Sequence, residues 1–163
     1  MLSPDLEETL RRALSIAGER SHEFATLEHL LLALIDDEDA IEVIKGCKVD
    51  ISELRDLLVN HIEDELSSIV NPSENLEVQP TAGFQRVVQR AIIHTQSSGR
   101  GAATGANILI AMYSERESYA VWFLNSLNMS RLDAVSFVSH GNGGSVQGTD
   151  QSDDKLADGE GSK

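Results

Sequence analysis

The sequence is short of the groups that cross-link, span or catalyse. It has one cysteine, Cys47, in 163 residues. That excludes an intrachain disulfide and a cysteine-cluster zinc site. Aromatic residues are 4% against 40% hydrophobic overall, so any core must be packed from aliphatic side chains. No apolar run reaches the roughly 20 residues that cross a bilayer. The stretch Met1–Asp5 lacks the basic and apolar regions of a secretory signal. A soluble, cytoplasmic protein is the expectation. Basic residues are scarce as well, 13 against 27 acidic, for a net charge of -14. The imbalance is local. Residues 1–79 carry 19 acids and 6 bases, residues 80–140 carry 3 and 5, and residues 141–163 carry 5 and 2. Such a chain repels nucleic acid and anionic membrane, and a partner with a basic patch suits it better.

Catalytic signatures are missing too. The glycines at 99 and 101, and those at 141, 143 and 144, lack the GxxxxGK[ST] spacing of a phosphate loop. No nucleophile elbow or HExxH pair occurs. The histidines are His22, His29, His61, His94 and His140, and those near helix ends read as capping or solvated groups. His22 with Glu23, or His61 with Glu63, are the pairs that would meet a surface metal. Cys47 reads as a small core residue rather than a reactive thiol.

What is present is helical periodicity. Thr26 opens a stretch in which Leu27, Leu30, Leu31, Leu34 and Ile35 recur on one face, with Leu32 and Ala33 adding apolar character elsewhere. A helix this apolar is expected to be buried on most sides. Ser3-Pro4-Asp5 starts an earlier helix through Leu6, Leu10, Ala13, Leu14 and Ala17. Asp36–Asp39 caps a short helix ending near Gly46, and Asp50 with Glu53 starts one through Leu66. Residues 67–79 read as a connecting loop. Thr81 caps a helix with Phe84, Val87, Val88, Ala91 and Ile92. Thr104 caps the next, Ser118 or Glu117 another, and Ser130 with Asp133 the last, whose inward residues are Leu132, Val135, Phe137 and Val138.

The two halves repeat. Leu6, Leu10 and Leu14 match Phe84, Val88 and Ile92 at an offset of 78, as Thr26–Leu34 matches Thr104–Met112. Val43 is matched with Val121 at the same offset, and Asp50/Glu53 with Ser130/Asp133 at 80. The expected fold is all-α, eight helices in two four-helix repeats (about 1–66 and 80–141) with pseudo-twofold symmetry, because each repeat can cover the other's apolar face. Residues 142–163, rich in Gly, Ser, Asp and Gln, read as a flexible linker, and suggest a module of a longer chain.

Glu23, Glu28, Thr81, Arg86 and Arg90 are the polar residues of interest. By sequence physics alone they are a dipole partner, caps and solvated arginines. Together with the segments around them they carry a resemblance. His22-Glu23-Phe24 with Thr26–Leu34, Gln79-Pro80-Thr81 with Phe84–Val87, Gln96–Arg100, Thr104–Asn107, and Ser130–Asp133 ending at Ser139-His140-Gly141 resemble the N-terminal domains of the Clp ATPases, those of the ClpA type in particular.

The resemblance covers residues 1–141 and implies a non-catalytic docking domain. It needs no metal or cofactor, since ATP would bind in ATPase rings outside this chain. The implied partners are the adaptor ClpS with its N-degron substrates, protein substrates directly, and ClpP through the rings. The fragment would be monomeric and the whole protein hexameric. The implied adaptor contacts are Glu23, Glu28, Thr81 and Arg86, with Glu23 and Glu28 on an exposed rim. Reversing Glu28 and Arg86 is expected to abolish adaptor binding with helicity intact. Zinc near His22 and Glu63 is a further family feature. The alternative is the N-domain of a related Clp ATPase that binds other adaptors or unfolded substrate.

Overall fold

In the computed structural model, which describes residues 1–66, 69–72, 77–99 and 101–141, side-chain caps mark most of the helix starts. Ser3 Oγ accepts from the Leu6 N–H at 3.0 Å and begins α1 (Pro4–Glu19). Thr26 precedes α2 (Leu27–Leu34). Asp37 accepts from the Asp39 and Ala40 N–H groups, each at 3.0 Å, and begins α3 (Glu38–Gly46). Asp50 caps α4 (Ile51–Glu65), and Thr81 caps α5 (Ala82–Ser97). Thr104 precedes α6 (Gly105–Met112), Ser118 caps α7 (Tyr119–Ser126), and Ser130 with Asp133 boxes the start of α8 (Arg131–Ser136). A π-helical turn, Phe137–Gly141, follows. The 142–163 linker and parts of the 67–79 connection lie outside the described residues.

All eight residues of α2 are buried, and it packs against α1, α4, α5, α6 and α7. Its counterpart α6 is buried along Ile108, Leu109, Ala111 and Met112 and packs against α1, α2, α3, α5 and α8. The core is therefore a pairing of two equivalent helices wrapped by the rest. Leu132 departs from expectation. It is 60% exposed, because the final helix is short and turns its Ala134 side inward.

The repeats are laced together by backbone. β1 (Phe24–Ala25) pairs in parallel with β2 (Gln79–Pro80). Thr81 N–H donates to the Ala25 carbonyl at 3.0 Å, and Ser3 N–H donates to the Ala103 carbonyl at 2.9 Å. These two bonds are equivalent at the offset of 78, so each half threads the entry to its second helix beside the other half's first helix. Short, mixed stretches with no alternation gave no strand signal in the sequence.

The hydrogen bonds also correct the alignment. Cys47 and Leu127 close their helices alike, and Lys48 and Asn128 both take φ of 68°. Val49 N–H donates to the Ile44 carbonyl as Met129 N–H donates to that of Leu124. The offset is already 80 through α3 and α7, so Val43 corresponds to Phe123 and not to Val121. The two-residue insertion precedes α7 rather than following it.

Leu31 is fully buried and Ile93 is 60% exposed. Leu31→Ala is expected to cost about 2–5 kcal/mol in urea unfolding. Ile93→Ala should stay within about 0.5 kcal/mol of the parent.

Candidate functional site

The site grows from the paired strands. The Glu23 N–H donates to the Ile69 carbonyl at 2.6 Å, and the Glu23 carbonyl accepts from the Gln79 N–H at 3.0 Å. Backbone thus fixes Glu23 beside the segment that runs into Thr81. Thr81 Oγ1 accepts from the Phe84 N–H at 3.2 Å, so this residue caps α5 and closes the strand pair at once. One turn on, Arg86 is exposed. Its Nε and Nη2 donate to the two Glu115 oxygens at 2.9 and 2.7 Å, a two-pronged pairing that fixes the guanidinium plane. The Arg86 hydrogen bonds hold the Glu115 carboxyl below the usual carboxylate range. Around the pair, Arg116, Glu117 and Ser118 complete a shallow surface with Ser114. Glu23 and Thr81 thus lie on the paired backbone between the repeats, while Arg86 lies farther along α5 and is held by Glu115 of its own repeat.

Glu28 stands elsewhere. It is 7% exposed, which corrects its expected place on the rim. One oxygen accepts from the Ala120 N–H at 2.9 Å, and the other lies 4.0 Å from His61 Nε2. The carboxylate therefore holds the first turn of α7, where negative charge suits the helix end. Glu28→Lys would bury an ammonium against that positive end, so the expectation of intact folding fails for this variant.

The histidines beside it are also interior groups. His22 is 3% exposed and His29 fully buried, so neither is the solvated group expected, although His29 does take the expected capping role. His29 Nδ1 accepts from the Thr26 N–H at 2.8 Å, completing a capping box with a histidine in the place of the usual Glu or Gln. That bond requires a bare Nδ1, so the proton sits on Nε2 and is donated to His22 Nδ1 at 3.0 Å. Burial, then the charges of His22, Arg20 and His61, bring His29 down to about 3. Burial and Arg20 lower His22 as well. His61 packs edge-on to Phe123 and lies 4.6 Å, ring to ring, from Tyr119.

A zinc ion near His22 and Glu63 does not fit these groups. His22 Nδ1 is taken by His29, and Glu63 faces the Arg20 guanidinium at 3.4 Å. Among the described residues no three His, Cys, Asp or Glu side chains converge to hold a metal. Cys47 is half-buried, and burial, then Asp133, raises its thiol above the ordinary value. It is thus a weak nucleophile. Sequence reasoning missed the interior role of His22, His29 and His61, and the Glu115 partner of Arg86. The one available signal was the spacing of Thr26 and His29, an N-cap followed three residues later by a side-chain acceptor.

Two measurements check this arrangement. Glu28→Ala leaves the Ala120 N–H buried without an acceptor and should cost about 1–3 kcal/mol, with faster amide exchange at Ala120. Glu28→Gln keeps the oxygen and should retain most of the stability. His29 is a base whose folded value lies below its unfolded one, so acid protonates the unfolded chain first. Its contribution therefore disappears as pH falls from about 6.5 towards 3, about 2 kcal/mol by pH 5. His29→Asn copies Asn107, whose Oδ1 accepts from the Thr104 N–H at 2.9 Å in the other repeat. Urea titrations at pH 7.5 and 5 should show that variant losing less stability than the parent.

The fold and its caps have recognisable kin. The chain is 54% identical over 139 residues to a ClpA homolog protein of Fuscovulum blasticum, covering 85% of this chain and 18% of that protein. It thus spans under a fifth of that relative. The N-terminal domain of Hsp104 from Candida albicans superposes with a TM-score of 0.69 at 14% identity, over 82% of this chain and 85% of that one. A ClpV N-domain in complex with a VipB peptide superposes with a TM-score of 0.66 at 19% identity, over 85% and 84%. At those identities the superpositions speak for the fold alone. The model of the Clp repeat (R) N-terminal domain matches residues 1–127, a span that holds both central helices and the strands lacing them. With residues 1–127 matched and 54% identity over the 139 residues aligned with a ClpA homolog, the chain belongs to the Clp repeat N-terminal domain family.

Proposed function

We propose that this domain docks proteins for a Clp ATPase, and that its adaptor is ClpS, carrying N-degron substrates. One observation carries the reading. The backbone pairing of residues 23–25 with 79–81 sets Glu23 beside the strand that ends at Thr81, and Arg86 follows on α5. Arg86 is the anchor. Glu115 engages Nε and Nη2, which leaves the Nη1 edge of a preoriented guanidinium for a partner's acceptor. Glu23, on the paired backbone, supplies an acceptor of opposite sign. Glu28 is a positioning residue here, since it holds α7 rather than meeting the adaptor.

In this reading the domain is non-catalytic. It captures an adaptor with its cargo, and a linker keeps both near the ring. Tethering raises effective concentration without tight binding. The whole protein would be a hexameric, cytoplasmic ATPase that binds ATP in its rings and feeds ClpP. A second reading has support of its own, because a ClpV N-domain of the same fold is known in complex with a VipB peptide. There the domain would take other adaptors or unfolded chain directly.

Titration of ClpS into the chain separates the two. Saturable binding is expected, weakened at least about tenfold by Glu23→Lys and by Arg86→Ala, with circular dichroism unchanged. Binding should also weaken at high salt. Full affinity in both variants would remove the site assignment. No ClpS binding by the parent would remove the adaptor reading.

A further inference from the structure

The two halves part company at one pair of junctions. Where the first turn of α2 meets the start of α7, side chains fill the space. Glu28 reaches the Ala120 N–H, His61 lies beside Glu28, and Tyr119 lies against His61. The equivalent junction is that of α6 with α3. There Glu28 is replaced by Ala106, Tyr119 by Asp39, Trp122 by Glu42 and Leu57 by Phe137. Glu28, Tyr119 and Trp122 thus have small or acidic counterparts, whereas Phe137 is larger than Leu57. A cavity of roughly 260 Å³ results, with Val43, Ala106, Phe137 and Val138 as apolar surface and Asp39, Glu42, Thr104 and Asn107 as its polar side.

The vacancy is not a missing cap. Asp37 already satisfies the first amides of α3 and accepts from the Thr9 hydroxyl at 2.6 Å. A Cβ at Gly105 would collide with that carboxylate, so α6 comes close to α3 only because position 105 is glycine. No cationic side chain lines the cavity, and among the described residues neither Asp39 nor Glu42 has an ion-pair partner. Burial, then the charges of Asp37, Asp5, Glu42 and Glu38, push the Asp39 carboxyl up. The cavity is therefore short of positive charge.

We propose that this pocket receives a lysine or arginine side chain of a bound polypeptide, its stem on Val43, Ala106 and Phe137 and its cationic head between Asp39 and Glu42. Long basic side chains pair an apolar stem with a charged head, which is the division of this lining. A hydrated metal ion is a poor match, because hard cations seek a shell of oxygens and Val43, Ala102, Ala106, Phe137 and Val138 give much of this wall no oxygen to offer. The site is separate from the Arg86 junction, so the failure of either leaves the other standing.

The test uses the full chain and two capped peptides, one with arginine between leucines and one with glutamate in its place. Amide shifts of Val43, Ala106 and Phe137 are followed by NMR. The arginine peptide should bind saturably and move these amides, and the glutamate peptide should not. Asp39→Asn with Glu42→Gln should weaken binding at least about tenfold. Ala106→Leu should fill the cavity and block binding, and Glu53→Gln, on the exposed start of α4, should change nothing. The double variant is isosteric and keeps the Asp37 cap, so it remains decisive if Ala106→Leu folds poorly. Equal response to both peptides, shifts confined to Tyr119 and Trp122, or a response to calcium chloride but not to the arginine peptide would overturn the proposal.

Discussion

Two backbone hydrogen bonds govern this molecule, Thr81 to Ala25 and Ser3 to Ala103. In each, the donor is the cap residue of one repeat's first helix, and the acceptor leads into the central helix of the other. A single residue therefore fixes where a helix begins and where the opposite repeat lies. Buried amides and carbonyls must find partners, so neither entry segment can leave its place without stranding polar groups. The central pair α2 and α6 is clamped from both sides by this exchange, and the apolar faces then have one way to close.

Around that frame the interior polar groups set finer positions. Glu28 ties α2 to the start of α7, and Asp37 ties α3 to α1 through Thr9. His29 closes its own capping box and donates a hydrogen bond to His22. Each is buried and each is matched, which is the condition under which such groups specify an arrangement instead of weakening it. Arg86 with Glu115 is the surface counterpart. The pair orders a guanidinium while leaving it accessible.

Much of this was legible in the sequence, for identifiable reasons. Caps such as Ser3, Thr81 and Ser130 act within one turn, so their spacing announces them. The internal repeat carried the architecture, because two copies of one pattern imply faces that cover each other. Glu28 and His61 were misplaced for the opposite reason. Their partners lie in distant segments, 92 residues away for Ala120, and local pattern reports nothing of that. The insertion before α7 was misplaced because two valines, Val43 and Val121, are both buried and mimic a match. The pocket at Ala106 has no sequence signal beyond a small residue where its counterpart is large.

That last difference bears on how anything can sit on the molecule. A scaffold with true twofold symmetry offers every ligand two identical berths, and with them two orientations of equal energy. Here one berth is occupied by the protein's own Glu28, His61 and Tyr119, and the other stands open at Ala106. The duplicated fold thereby acquires a head and a tail. A chain lying across both halves has a single polarity and a stoichiometry of one, so whatever it presents next is held in a fixed direction.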